Sequence, residues 1–384
     1  MKSSINYKEF PTPAYICEEA LLKRNVEILK RVADESGLKI LMALKGFALW
    51  KTFETVTPAI VGTSASGLHE ALLGKEEVGK EVHTYSPAFN LDEIDEVAKT
   101  STTIIFNSLN QLDRHYDRVK NINADLEIGL RVNPEFSSTS TELYDPCSPY
   151  SRLGITIKEF SKISTEQLKK IDGLHFHGLC EQGIEHLEPL WSAFEEKFGS
   201  YLQDLKWINM GGGHLITRKD YDVDRLIEFV KKLYKKYPKK TLYIEPSEAF
   251  GWQTGFLIGE VLDIVHNGID IAVLNVSAET HMPDVLAMPY RPDVRGSDEF
   301  GKKEFSYRFG GNSCLAGDTI GDYSFDKPLK IGDKIIFEDM IHYTIVKNTT
   351  FNGLPLPKIA LLKDNGELNT LKEFGYLDYK NRLS

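Results

Sequence analysis

No C-x-x-C pair occurs in the 384 residues, and the four cysteines, Cys17, Cys147, Cys180 and Cys314, lie far apart. That spacing argues against a disulfide framework or a zinc knuckle and fits a reducing compartment. Long apolar runs are missing too. The beginning, MKSSINYKEFPTPAYIC, lacks the apolar stretch of a signal peptide, and no later run is long enough to cross a membrane. A cytoplasmic location away from membranes is the expectation. Positive charge is in deficit, with 46 Lys and Arg against 56 Asp and Glu for a net charge of −10. This disfavours a nucleic-acid partner and mildly favours cationic ones. There is no internal repeat or low-complexity tract. No G-x-G-x-x-G follows the first strand-like run, which disfavours a doubly wound dinucleotide fold.

What is present is a regular alternation. After an extended piece at Ala14–Cys17 and an amphipathic helix at Glu18–Asp34, short apolar runs alternate with helical patterns. The runs are Ile40–Leu44, Ala59–Gly62, Val82–Tyr85, Thr103–Phe106, Glu127–Val132, Gly173–His177, Trp207–Met210 and Leu242–Ile244. Eight strand-helix units predict a (β/α)8 barrel over 18–255. Past Gly255 strand-like runs dominate: Leu257–His266, Ile271–Ser277, Phe305–Phe309, Lys334–Phe337, Tyr343–Val346 and Lys358–Leu362. They predict an all-β domain over 256–384, joined by the N-terminal segment 1–17. The polar stretch Asn133–Ser151 is expected to be a long loop between barrel strands.

Barrels carry their chemistry at the C-terminal ends of the strands. There the sequence puts Lys45, then Thr63 to Ser66 with Glu70, Arg131, His175 and His177, the triple glycine Gly211–Gly213, and Glu245. A strand-end lysine is usually solvated, but desolvation would lower its pKa and free a lone pair for a carbonyl. The glycines let backbone N–H groups approach an anion such as a phosphate, although a plain tight turn reads the same way. Alternation sets His175 and His177 on one strand face. A metal on His175, His177 and Cys180 is set aside, because no further ligand set has metal-like spacing. Glu245 ends an apolar strand and needs a cation nearby, for which a protonated pyridine nitrogen would serve. Lysine, glycine loop, histidine and carboxylate together fit pyridoxal phosphate, whose protonated ring accepts the electrons of a bond broken at Cα.

The motifs ALKG (Lys45), LRVNP (Arg131), FHG (His177), MGGG (Gly211, Gly212, Gly213), EP (Glu245), GGNSCLAGD (Cys314, Asp318) and EDMIHYT (Tyr343) resemble the fold-type III pyridoxal-phosphate decarboxylases. These include the ornithine and diaminopimelate decarboxylases. The resemblance spans nearly the whole chain. It implies that Lys45 bears the cofactor, that His177 and Glu245 contact its ring, that Arg131 lies near its phenolic oxygen, and that Tyr343 binds phosphate. It also implies a homodimer with shared active sites, in which Cys314 of one chain protonates Cα in the other.

Two departures are informative. Better-known members carry an arginine three positions after the strand-eight glutamate, where this chain has Glu248, and an acid after the cysteine, where it has Leu315. A carboxylate at 248 suits an amine rather than a second carboxylate. The segment SAETHMPDVLAMPYRP, Ser277–Pro292, resembles the carboxynorspermidine/carboxyspermidine decarboxylase branch. Glu248, Asp284 and Asp318 are then expected on a long cationic substrate, with a helix N-cap as the plain alternative for Asp284. The rivals are a diaminopimelate decarboxylase, an amino-acid racemase on the same fold, and a non-catalytic cofactor carrier.

Overall fold

The computed structural model describes residues 7–138 and 142–384. The first residues of the segment 1–17, and three residues of the stretch Asn133–Ser151, lie outside them. The chain divides into two compact units, 24–250 and the remainder.

In the first unit eight parallel strands close into a barrel. They run Lys39–Ala43, Gly62–Ala65, Glu81–Tyr85, Thr103–Phe106, Glu127–Arg131, Gly173–His175, Trp207–Asn209 and Thr241–Ile244, and the first pairs with the last through Lys39 and Tyr243. Parallel strands are buried on both faces, so they appear in the sequence as continuous apolar runs. The second strand departs from that pattern. It was expected at Ala59–Gly62, but the chain makes a 3-10 turn at Thr57–Ala59 and enters the strand at Gly62. Its members Thr63 and Ser64 are polar yet buried. Gly62 starts it because a Cβ there would meet the Glu81 carbonyl oxygen at 2.1 Å.

The barrel interior is filled from one side by Trp207. Its ring lies where Cβ atoms at Gly129 and Gly173 would be, 2.4 and 2.1 Å from the nearest ring atoms, so two neighbouring strands must carry glycine. The outer helices follow from apolar faces and caps. In Val223–Lys236, Asp222 accepts the Arg225 N–H at 2.9 Å; Leu226, Ile227, Val230 and Leu233 are buried; and Lys235 and Lys236 close the last turn. The cap meets an otherwise orphaned donor, and the lysines complement the helix dipole.

The second unit is a nine-stranded, mostly antiparallel sheet. Its long central strand Gly255–Asn267 pairs with Ala14–Glu18, Ile269–Leu274 and Lys334–Glu338. Thus the segment after Pro13 is a sheet strand, also parallel to Lys358–Leu362. The expected strand Tyr343–Val346 is instead a helical turn, Thr344–Lys347. The preceding strand ends at Glu338, and Asp339 then takes a left-handed φ of 60°, which breaks the extended run. Short helices at Ala278–His281, Asp284–Ala287 and Tyr376–Leu383 also make this unit less purely β than expected. No helix among the described residues is long and apolar enough to cross a membrane.

Candidate active site

The barrel brings Lys45, Arg131, His175, His177, Gly211–Gly213, Glu245 and Glu248 to the C-terminal ends of its strands. The turn carrying Lys45 is held by its neighbours: the Leu44 N–H donates to Ser64 O at 3.0 Å, the Ala43 N–H donates to Pro246 O at 3.2 Å, and Ser247 Oγ donates to Ala43 O. The Lys45 side chain lies at the mouth of the barrel with protein atoms packed around its amine. This desolvation, helped by repulsion from Arg131, lowers its pKa, against the pull of Glu245, Cys180 and Glu70. Arg131 is buried, with its guanidinium 4.6 Å from the Tyr85 ring centroid.

Glu245 sits nearly buried at the end of the eighth strand. Asn209 Nδ2 donates to its Oε1 at 2.7 Å, and His175 Nε2 lies 3.5 Å from Oε2. Burial opposes its charge, but His175 and Asn209 outweigh that and hold the carboxyl down at about 2. Burial lowers the His175 pKa, while Glu245 pulls it the other way. Glu245 is therefore a fixed anion.

The glycine loop is built for close approach. Gly211 and Gly213 have φ of 70° and 83°, and a Cβ at Gly211, Gly212 or Gly213 would meet a backbone carbonyl oxygen at 2.4, 2.4 or 2.1 Å. Two of its three N–H groups are engaged within the protein. The Gly211 N–H donates to Asn209 Oδ1 at 2.9 Å, and the Gly212 N–H to His177 Nδ1 at 2.8 Å. The second bond puts the proton of a neutral His177 on Nε2, and burial lowers its pKa well below the usual histidine range. The sixth barrel strand stops at His175, so His177 lies in the loop beyond it, and the two histidines serve different partners.

Asn209 was missed in the sequence, although it joins the carboxylate to the glycine loop. The signal was a polar residue inside the apolar strand WINM, and it is fully buried. Glu248 is also nearly buried. Together with burial and Glu181, its charge raises the Cys180 thiol to about 11. Cys180 therefore stays protonated near neutrality.

The sheet unit carries the other expected residues. Cys314 is exposed, and its N–H donates to Asn352 Oδ1 at 2.6 Å. Asp318 is buried and accepts backbone N–H groups from Ala278 at 2.7 Å and Ser313 at 3.2 Å, which fastens the cysteine loop. Asp284 pairs with Lys347 at 2.5 Å. It opens the helix Asp284–Ala287, whose cap position is Pro283. Tyr343 precedes the helical turn that carries Lys347.

A family model described as pyridoxal-dependent decarboxylase, C-terminal sheet domain, matches residues 15–341. The chain is 48% identical to the carboxynorspermidine/carboxyspermidine decarboxylase of Campylobacter jejuni subsp. jejuni, over 98% of this chain and 99% of that protein. It is 43% identical to the carboxyaminopropylagmatine decarboxylase of a Synechocystis species, over 97% of this chain and 95% of the relative. Among solved structures, carboxynorspermidine decarboxylase of Campylobacter jejuni complexed with norspermidine matches with a TM-score of 0.90 at 47% identity. That match covers 97% of this chain and 100% of the other.

Proposed function

The chain belongs to the pyridoxal-dependent decarboxylases, and we propose that within that family it removes CO2 from carboxynorspermidine or carboxyspermidine, releasing norspermidine or spermidine. The residues of the barrel fit the cofactor. A buried carboxylate held ionised suits a protonated pyridine nitrogen, a neutral imidazole suits the ring face, and a lysine with lowered pKa suits the aldehyde. When bound, pyridoxal phosphate supplies a ring that takes up the electron pair left at Cα as the carboxylate departs.

The protein's own groups have distinct tasks. Lys45, with its pKa lowered by desolvation and by Arg131, would offer its amine to the aldehyde. Glu245, fixed by Asn209 and flanked by His175, would hold a proton on the pyridine nitrogen. His177, with its Nδ1 tied to Gly212, presents its ring in one orientation. Arg131 would neutralise the phenolic oxygen, while Tyr343 and the Gly213 N–H would serve the phosphate. Proton return to Cα is assigned to Cys314 of a second copy in a cytosolic homodimer: the S–H bond breaks, carbon gains the proton, and the thiolate is reprotonated from water. The exposure of Cys314 supports that assignment.

The observation that carries the substrate class is Glu248, a nearly buried carboxylate one turn past Glu245. It suits an ammonium group of a polyamine and disfavours the second carboxylate of diaminopimelate. Asp284 is a second acceptor for such a substrate, whose ammonium would have to displace Lys347. Asp318, expected on the substrate, is buried with its oxygens on the Ala278 and Ser313 N–H groups, and so acts by holding the loop of Cys314. A charge-assisted hydrogen bond is worth roughly 1.5–3 kcal/mol, so Glu248→Gln should lower kcat/KM for the carboxylated polyamine by about ten- to a hundredfold. Cofactor absorbance should be unchanged. A variant with wild-type kcat/KM and only a lower melting temperature would show that Glu248 merely ties down its loop.

A further inference from the structure

The loop Gly310–Asp318 is exposed over Cys314, yet its backbone is gripped from two directions within the sheet unit. Asp318 Oδ2 accepts the Ser313 N–H at 3.2 Å, and Asn352 Oδ1 accepts the next N–H along, that of Cys314, at 2.6 Å. Asn352 reaches it from an unusual backbone conformation, φ 55° and ψ 12°. Glycine would occupy that left-handed region without steric cost, and asparagine is among the few other residues that enter it readily. An asparagine there keeps the turn and adds an acceptor, and the acceptor is used on Cys314.

Other contacts anchor the segment bearing Asn352. The Thr349 N–H donates to Thr280 O at 2.8 Å. The Gly353 N–H closes the turn on Thr350 O at 3.0 Å. The acceptor is thus carried by a braced turn. A hydrogen bond to a backbone N–H fixes the Cys314 Cα–Cβ direction, and so the cone from which its thiol can deliver a proton.

We propose that Asn352 is the positioning residue for Cys314: its side-chain amide, presented from a left-handed turn, holds the cysteine backbone in the geometry for proton return to Cα. This rests on the assignment of Cys314 as the proton donor. Asn352 touches no reacting atom itself.

Three substitutions in the full-length holoenzyme separate the amide from the backbone. Asn352→Gly keeps the left-handed turn and removes the acceptor. Asn352→Asp keeps both. Cys314→Ala removes the group being positioned. In Asn352→Gly, kcat should fall by about tenfold with KM within about twofold of wild type. Hydrogen exchange at the Cys314 amide, followed on the 311–318 peptide, should accelerate in Asn352→Gly and return to the wild-type rate in Asn352→Asp, together with most of kcat. In a Cys314→Ala background, Asn352→Gly should cost nothing more, because residues acting as one unit are not additive. Wild-type kcat in Asn352→Gly despite faster exchange overturns the inference, as does an additive double mutant. Should Cys314→Ala alone keep full kcat, the donor assignment falls, and the positioning role falls with it.

Discussion

Replacing Lys45 with alanine is expected to lower kcat by roughly a thousandfold or more, the upper part of the range for losing a side chain that handles protons at the reacting centre. The fold should survive. Leu44 and Phe47 are buried on either side of the turn, and Ser64, Pro246 and Ser247 hold its backbone. The Lys45 side chain lies at the mouth of the barrel rather than in its core, so truncation opens no core cavity. Its amine differs physically from a surface lysine's, because desolvation and Arg131 disfavour the charged form and leave a nucleophilic lone pair nearer neutral pH. Borohydride reduction of the wild-type holoenzyme followed by peptide mapping should therefore place the reduced cofactor on Lys45. A label on a different lysine would contradict the assignment.

The second large effect is expected at Glu245. Glu245→Gln keeps the shape and an oxygen for Asn209 but removes the fixed anion, and a preorganised electrostatic group of this kind is worth roughly a hundred- to a thousandfold in kcat. The cofactor should still bind through Lys45 and the glycine loop, so the loss falls on turnover. Stability has its own signature. In the folded chain the Glu245 carboxyl is held at about 2, below its value in an unfolded chain. The unfolded state then binds more protons between those values, so the stabilisation is fully present above about pH 4.5 and is lost as pH falls toward 2. The wild-type advantage over Glu245→Gln in urea unfolding should shrink by about 2 kcal/mol between pH 5 and pH 3. A difference that stays flat across that window would mean that Glu245 is not held ionised.

Much of this was legible in the sequence, for reasons tied to particular residues. The barrel could be inferred because parallel strands such as Ile40–Leu44 and Thr103–Phe106 are apolar on both faces, and because Lys45 and Glu245 stand directly after such runs. The second strand was misplaced because Thr63 and Ser64 are buried polar residues, while the apolar Ala59–Ile60 lies in the turn before them. In the sheet unit the strands Thr319–Phe325 and Leu368–Lys372 went unseen because their polar and apolar residues do not alternate cleanly. The direction of the Gly211 and Gly212 N–H groups could not be inferred at all. It depends on local φ values and on Asn209 and His177 being in reach, neither of which spacing encodes. For the same reason the occupied state of Asp284, paired with Lys347 across 63 positions, emerges only when the chain is folded.

The most direct test compares kcat/KM of the wild-type holoenzyme for carboxyspermidine and carboxynorspermidine with that for meso-diaminopimelate, with the released amines identified. Carboxyaminopropylagmatine should be included as a third polyamine-like acid, given the Synechocystis relative. The carboxylated triamines should be turned over at least about a hundredfold more efficiently than diaminopimelate, which would leave its second carboxylate beside the buried Glu248. The two triamines differ by one methylene and should differ by no more than about 1–3 kcal/mol. Preferential release of lysine from diaminopimelate would contradict the proposed function.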